Sequence, residues 1–234
     1  MLVVFALLGA VCVTEGALAP FIRPCYADDI DCLIDSTQAA VPVVAAGVPE
    51  FGMQSLDPMT LDRVVANQAG LDMDFRNTVV KGLRNCQVLN VVRFPQRTQL
   101  DVQCSVTLVG DYRLGGQLLI LPIEGQGRYK IKIRDIVVNM DFEVGERLDG
   151  GESFWTVENW WYTADVLTNV EFRFQNLFNG NRQLASAVQD FANENWRDIF
   201  QELSPPFMDV IVSKIIDELR KLFDIVPISE MTLN

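Results

Sequence analysis

Few side chains in this sequence could carry covalent or metal chemistry. Beyond residue 20 there are four cysteines, Cys25, Cys32, Cys86 and Cys104, and a fifth, Cys12, lies in an apolar amino-terminal run. There is no histidine, which removes Ser-His-Asp and Cys-His catalysis, His-ligated zinc and an imidazole pH switch. Without imidazole, isolated thiol pairs make a poor zinc site. Asp28, Asp29 and Asp31 cluster where a helical pattern begins, so they read as capping and dipole-complementing groups. Asp72 and Asp74 fall on the polar face of an amphipathic strand, and paired-carboxylate hydrolysis needs a cleft geometry that no spacing fixes. Gly125-Gln126-Gly127 lacks the flanks of a phosphate or dinucleotide loop and reads as a turn, and no Gly-x-Ser-x-Gly elbow occurs. Neither catalysis nor a metal or cofactor is expected.

Binding is better served. Phe154, Trp155, Trp160, Trp161 and Tyr162 could line an apolar site or the mouth of a pocket; equally they could be ordinary strand and core aromatics. Arg128, Lys130, Lys132 and Arg134 form a basic stripe that could meet anionic headgroups, but Asp135, Asp141 and Glu143 nearby favour the solvated face of a strand. Nineteen Lys and Arg against 31 Asp and Glu give a net charge of −12, which argues against a nucleic-acid partner and against stable association with anionic membranes. Hydrophobic residues are 49% of the 234 and charged residues 21%, so a large core, or a core with a cavity in it, can form.

The elements that must hold these groups fall into three zones. Residues 2–13 are apolar, uncharged and too short to span a bilayer, and Gly16, Ala17 and Ala19 follow. This is the pattern of a secretory signal peptide over residues 1–16, cut after Gly16 in preference to Ala19, leaving a single domain over 17–234. From Asp29 to about Gly47 the spacing is helical, with Pro42 expected to kink or interrupt it. From Leu71 to Phe174 the period is two, in strands separated by Gly-containing turns such as Gly115-Gly116 and Asp149-Gly150-Gly151. From Asn181 onward it is helical again. Leu184, Val188, Phe191, Asn195 and Ile199 make one stripe, and Ser204 caps a second helix that starts at Pro205. That helix presents Phe207, Val210, Ile211, Lys214, Ile215, Leu219 and Leu222 on a broad face and stops before Pro227. So wide an apolar face needs something to wrap around it, and a strongly curved antiparallel sheet can enclose it, an α+β arrangement with room for a cavity.

An oxidising compartment and four remaining cysteines suggest disulfides, with three connectivities open. Bridging Cys25 and Cys32 would close an eight-residue loop, worth about 2.5 kcal/mol in chain entropy. Strands on either side of Pro95 pair with residue numbers summing to 190. Cys86 then faces Cys104, Val88 faces Val102 and Val92 faces Thr98, with Val88, Val92, Leu100, Val102 and Val106 on one face. This allows either a cross-strand disulfide or two apposed buried thiols.

Several segments taken in order resemble the insect Takeout and juvenile hormone-binding protein family. They are Pro24-Cys25 with Cys32, Gly47-Val48-Pro49-Glu50, Leu56-Asp57-Pro58-Met59, Val109-Gly110-Asp111-Tyr112, Leu121 to Gly127, Leu177 to Asn181, and Phe191 to Trp196 followed by Pro205. The resemblance implies a curved antiparallel sheet wrapped around a long carboxyl-terminal helix with an internal hydrophobic tunnel. It implies an amino-terminal disulfide at Cys25 and Cys32, and a secreted, extracellular carrier of an elongated terpenoid or fatty acyl compound. No cysteine follows Cys104, so the second disulfide of the hormone-binding branch has no counterpart, which points to the Takeout-like branch. The inward positions that would line such a tunnel are Leu71, Met73, Phe75, Val102, Val106, Phe172 and Phe174, faced by Phe207, Ile211 and Ile215, and an ordinary core would use the same residues. The alternatives are a secreted interaction or signalling protein with a filled core, and a lipid-transfer protein that docks on membranes.

Overall fold

The computed structural model describes residues 17–233 apart from Ala69; the apolar run 1–16, expected to be a signal peptide, lies outside the described residues. Asp29 caps helix α1 (Ile30–Ala46) by accepting from the backbone N–H of Cys32 at 3.0 Å. The helix runs on through Pro42 instead of breaking there. One missing hydrogen bond is outweighed by the packing of Leu33, Val41 and Val44 on the strands beneath.

Six strands follow: β1 (Met59–Gln68), β2 (Leu71–Lys81), β3 (Gln87–Phe94), β4 (Arg97–Leu118), β5 (Leu121–Asp149) and β6 (Glu152–Phe174). They form one antiparallel sheet in the order β1-β2-β4-β5-β6, with β3 paired to the first part of β4. β1 was not expected, because Met59, Leu61 and Val64 point inward without a steady period of two. Gly115-Gly116 and Gly125-Gln126-Gly127 are not turns but lie inside β4 and β5. Their glycines admit close backbone: a Cβ at Gly116 would sit 2.2 Å from the carbonyl oxygen of Gly70, and one at Gly127 2.6 Å from that of Gln175. The chain reverses at Pro95-Gln96, Leu119-Ile120 and Gly150-Gly151. At 29 residues β5 would stretch about 90 Å if flat. Bulges bend it instead. Asp135, at φ +53, interrupts the register of β5 with both neighbours, and Asn77, at φ +50, does the same between β2 and β4.

Four helices close the chain: α2 (Arg182–Glu194), α3 (Trp196–Leu203), α4 (Pro205–Ile225) and α5 (Ile228–Met231). The expected stripe from Leu184 to Ile199 is broken at Asn195, which leaves helical geometry and donates its side-chain amide to the Phe191 carbonyl at 2.9 Å. Val188 and Ile199 are buried, whereas Leu184 is exposed. Ser204 precedes α4 as expected but makes no side-chain cap, because its backbone is already helical as α3 runs into α4. The long helix α4 touches both outer strands, β1 and β6, so the curled sheet closes on it. Embraced from two sides, it also buries Met208, Val212 and Ile216, while Lys214 is exposed.

Cys25 and Cys32 are bridged, and so are Cys86 and Cys104, which settles the choice between cross-strand disulfide and free thiols. The register at the second bridge has the expected sum: Gln87 pairs with Gln103 and Val88 with Val102. A bulge at Leu89 then adds one residue, so Val92 faces Gln99 and not Thr98. Val91 takes the buried position expected of Val92.

Side-chain amides seal two strand borders. Gln38 of α1 donates to the Cys86 carbonyl (3.1 Å) and accepts from the Val88 N–H (2.8 Å) beside β3. Asn193 of α2 accepts from the Phe172 N–H (2.7 Å) and donates to its carbonyl (3.1 Å), while Gln189 accepts from the Phe174 N–H (2.9 Å). Gln38 and Asn193 each supply the donor and the acceptor that a further strand would have offered, and Gln189 supplies an acceptor.

Candidate functional site

The concave face of the sheet, α1 and α4 do not fill the space between them. A cavity of about 410 Å³ remains, within the range of small-molecule sites. All ten positions expected to face inward line it: Leu71, Met73 and Phe75 from β2, Val102 and Val106 from β4, Phe172 and Phe174 from β6, and Phe207, Ile211 and Ile215 from α4. A period of two places the strand residues, because alternate residues of a pleated strand share a face, and the helical spacing of four places those of α4.

The wall is wider than expected. α1 contributes Leu33, Val41 and Val44, β5 contributes Ile133, Val138, Met140 and Phe142, and Trp155 and Phe223 add aromatic rings at one end. The β5 positions were legible from their alternation. The α1 positions were legible only as a helical stripe with no stated partner.

One end of the cavity is aromatic. Phe75 meets Phe207 and Tyr129 edge-on at ring separations of 4.8 Å each, and Phe174 meets Tyr112 at 4.9 Å. The two tyrosine hydroxyls are already engaged. Tyr129 Oη shares a hydrogen bond with Thr78 Oγ1 at 2.7 Å, and Tyr112 Oη donates to the Gln175 carbonyl at 2.6 Å. Burial pushes both phenols up to about 12. They hold strands together behind the wall and present no titrating group to the interior.

The other end carries charge. Arg93 lines the cavity at the tip of the β3–β4 hairpin, with its guanidinium carbon 4.3 Å from the centre of the Trp155 ring. Trp155 in turn packs edge-on against Phe223 of α4 at 5.5 Å. Desolvation pulls the pKa of Arg93 below the ordinary guanidinium value. Phe94 and Pro95, both exposed, also line the cavity, so it reaches solvent at this hairpin. Arg93 was missed in the sequence because the extra residue at Leu89 exchanges the two faces of β3, turning Arg93 toward the interior.

The aromatic group Phe154 to Tyr162 therefore divides. Trp155 lines the cavity; Trp160 and Tyr162 stack 6.3 Å apart in a separate outer groove, where Tyr162 donates to Asp209 at 2.6 Å. Trp161 is exposed beneath Arg97, and Phe154 lies under Arg147. In the basic stripe, Arg128 pairs with Asp111 and Lys132 with Glu171, as a solvated strand face would. No cluster of three metal-ligating side chains occurs among the described residues, and no described helix is long and apolar enough to cross a membrane.

A family model described as haemolymph juvenile hormone binding protein matches residues 2–233. The circadian clock-controlled protein daywake of Drosophila melanogaster is 22% identical over 239 residues, covering 93% of this chain and 88% of that protein. The juvenile hormone-binding protein of Manduca sexta is 27% identical over 155 residues, covering 59% of this chain and 66% of that one. Among solved structures, Takeout 1 of Epiphyas postvittana superposes with a TM-score of 0.89 at 29% identity, over 91% of this chain and all of the other.

Proposed function

The chain belongs to the Takeout and haemolymph juvenile hormone-binding protein family, and from that membership and the cavity we propose that it is a secreted carrier of one elongated hydrophobic molecule of the terpenoid or fatty acyl class. The observation that carries this reading is a cavity of about 410 Å³ between sheet and helix, lined mostly by aliphatic and aromatic groups. Its chemistry is sequestration. Each buried CH₂ contributes about 0.8 kcal/mol, so a fifteen-carbon ligand gains roughly 12 kcal/mol before entropy and desolvation losses. Affinities between micromolar and nanomolar follow without any reacting group. Two disulfides suit an extracellular setting. An unfilled interior removes the premise of a filled-core signalling protein, and a net charge of −12 opposes docking on anionic bilayers.

The test is organic extraction of natively purified protein followed by mass spectrometry. The carrier reading expects one dominant lipid per protein. A blank extract, together with failure to take up a neutral fluorescent probe such as N-phenyl-1-naphthylamine, would overturn it.

A further inference from the structure

The charges of the cavity wall run against those of the chain. Acids outnumber bases 31 to 19 in the sequence, yet the described residues lining the cavity include two arginines, Arg23 and Arg93, and no Asp or Glu. Arg23 is exposed at the rim, whereas Arg93 is half-buried. Among the described residues no carboxylate lies within 4 Å of the Arg93 guanidinium, and its side chain makes no hydrogen bond. On the outer face of the sheet, by contrast, Arg63 and Arg76 share Asp74, and Arg97 pairs with Asp141. The guanidinium carbon lies 4.3 Å from the centre of the Trp155 ring, and its N–H groups, without a partner among the described residues, are available to a planar acceptor. Thr98, two residues beyond the hairpin turn, adds a hydroxyl to the same wall with no protein partner of its own among the described residues.

We propose that Arg93 is the anchor for the carboxylate of a long-chain fatty acid whose tail runs along the apolar cavity toward Phe75 and Phe207, an assignment that rests on the carrier reading. A half-buried guanidinium without a counter-ion is costly unless an anion completes it, and a carboxylate matches its fork geometry. The tail then lies where the wall is uncharged and mostly aliphatic and aromatic. The Trp155 ring, held by Phe223, keeps the guanidinium from swinging out to solvent.

The experiment compares myristate with methyl myristate, which has the same chain but no charge, by displacement of N-phenyl-1-naphthylamine. The unmodified protein should hold myristate about tenfold or more tightly than the ester, and Arg93→Gln should erase that preference. Arg93→Lys should keep part of it, and Arg23→Gln, at the solvated rim, should change it less than about threefold. Equal affinity of the unmodified protein for acid and ester overturns the anchor, whatever the variants do. So does a preference that survives Arg93→Gln or is lost in Arg23→Gln. A protein that takes up neither ligand nor the fluorophore overturns the carrier reading itself, which is a different result.

Discussion

Val106 reaches the cavity from β4 with 7% of its surface exposed, so enlarging it consumes ligand space before it strains the surrounding core. Val106→Trp should lower affinity for a fourteen-carbon ester by tenfold or more, with far-UV circular dichroism unchanged and stability reduced by about 1–3 kcal/mol; unaltered uptake would remove Val106 from the wall. A second residue acts on the fold alone. Asp57 is buried and accepts from the backbone N–H groups of Gly82 (3.2 Å) and Arg84 (2.9 Å), while the Arg84 side chain donates to the Asp57 carbonyl. Asp57→Ala leaves two donors without partners and should cost about 2–3 kcal/mol in urea unfolding, with no selective effect on ligand. Single residues also mark the limit of what the sequence discloses. Inward positions such as Leu71, Met73 and Phe75 were legible because a pleated strand alternates without exception until something interrupts it. Arg93 was hidden by one extra residue at Leu89, since a bulge changes every face after it and leaves no trace in composition.

Among the elements, the sheet depends on its bends and on its sealed borders. Asp135 lies where β5 slips register against β4 and β6, and it joins all three strands. Its backbone N–H donates to Ser105 Oγ, and its carboxylate accepts from Gln103, Ser105 and Thr168. The Thr168 hydroxyl, followed by the Gln103 amide, holds that carboxyl below its ordinary pKa. The separate strands read on either side of Asp135 are one strand, because the bulge restores the pairing with its parity reversed. Turn-forming glycines misled in the same way: Gly116 and Gly125 are strand residues that make room for neighbours remote in sequence, which local patterns do not encode. At the β6 border, Asn193→Ala withdraws both a donor and an acceptor from Phe172. It should cost about 1–3 kcal/mol and speed hydrogen exchange at Phe172 and Phe174 ahead of exchange at β5 amides. Uniform acceleration across the sheet would show instead that α2 is needed for the whole fold.

For the molecule as a whole, the titrating groups set a broad pH plateau. The carboxyls of Asp135 and Glu171 are depressed by hydrogen bonds and ion pairing, so the stability they contribute is present above their unfolded pKa and lost as pH falls through about 4 and lower. Tyr112 and Tyr129 are raised to about 12, so their contribution is present below the unfolded phenol pKa and lost as pH climbs from about 10 toward 12. With no histidine in the sequence and all four described cysteines bridged, the melting temperature should stay level between about pH 6 and pH 9 in differential scanning calorimetry. The curved sheet closing on a terminal helix was legible from two changes of period along the chain. The unfilled space inside it was legible only as an excess of apolar wall, because volume depends on how tightly strands curl. The contrast between an acidic exterior and a cationic wall governs the traffic of cargo as well as its grip. An approaching fatty-acid anion meets long-range repulsion before it feels Arg93, so its capture rate should rise with added salt, opposite to the behaviour of steered ion pairs, while arrival of a neutral ester stays indifferent to ionic strength.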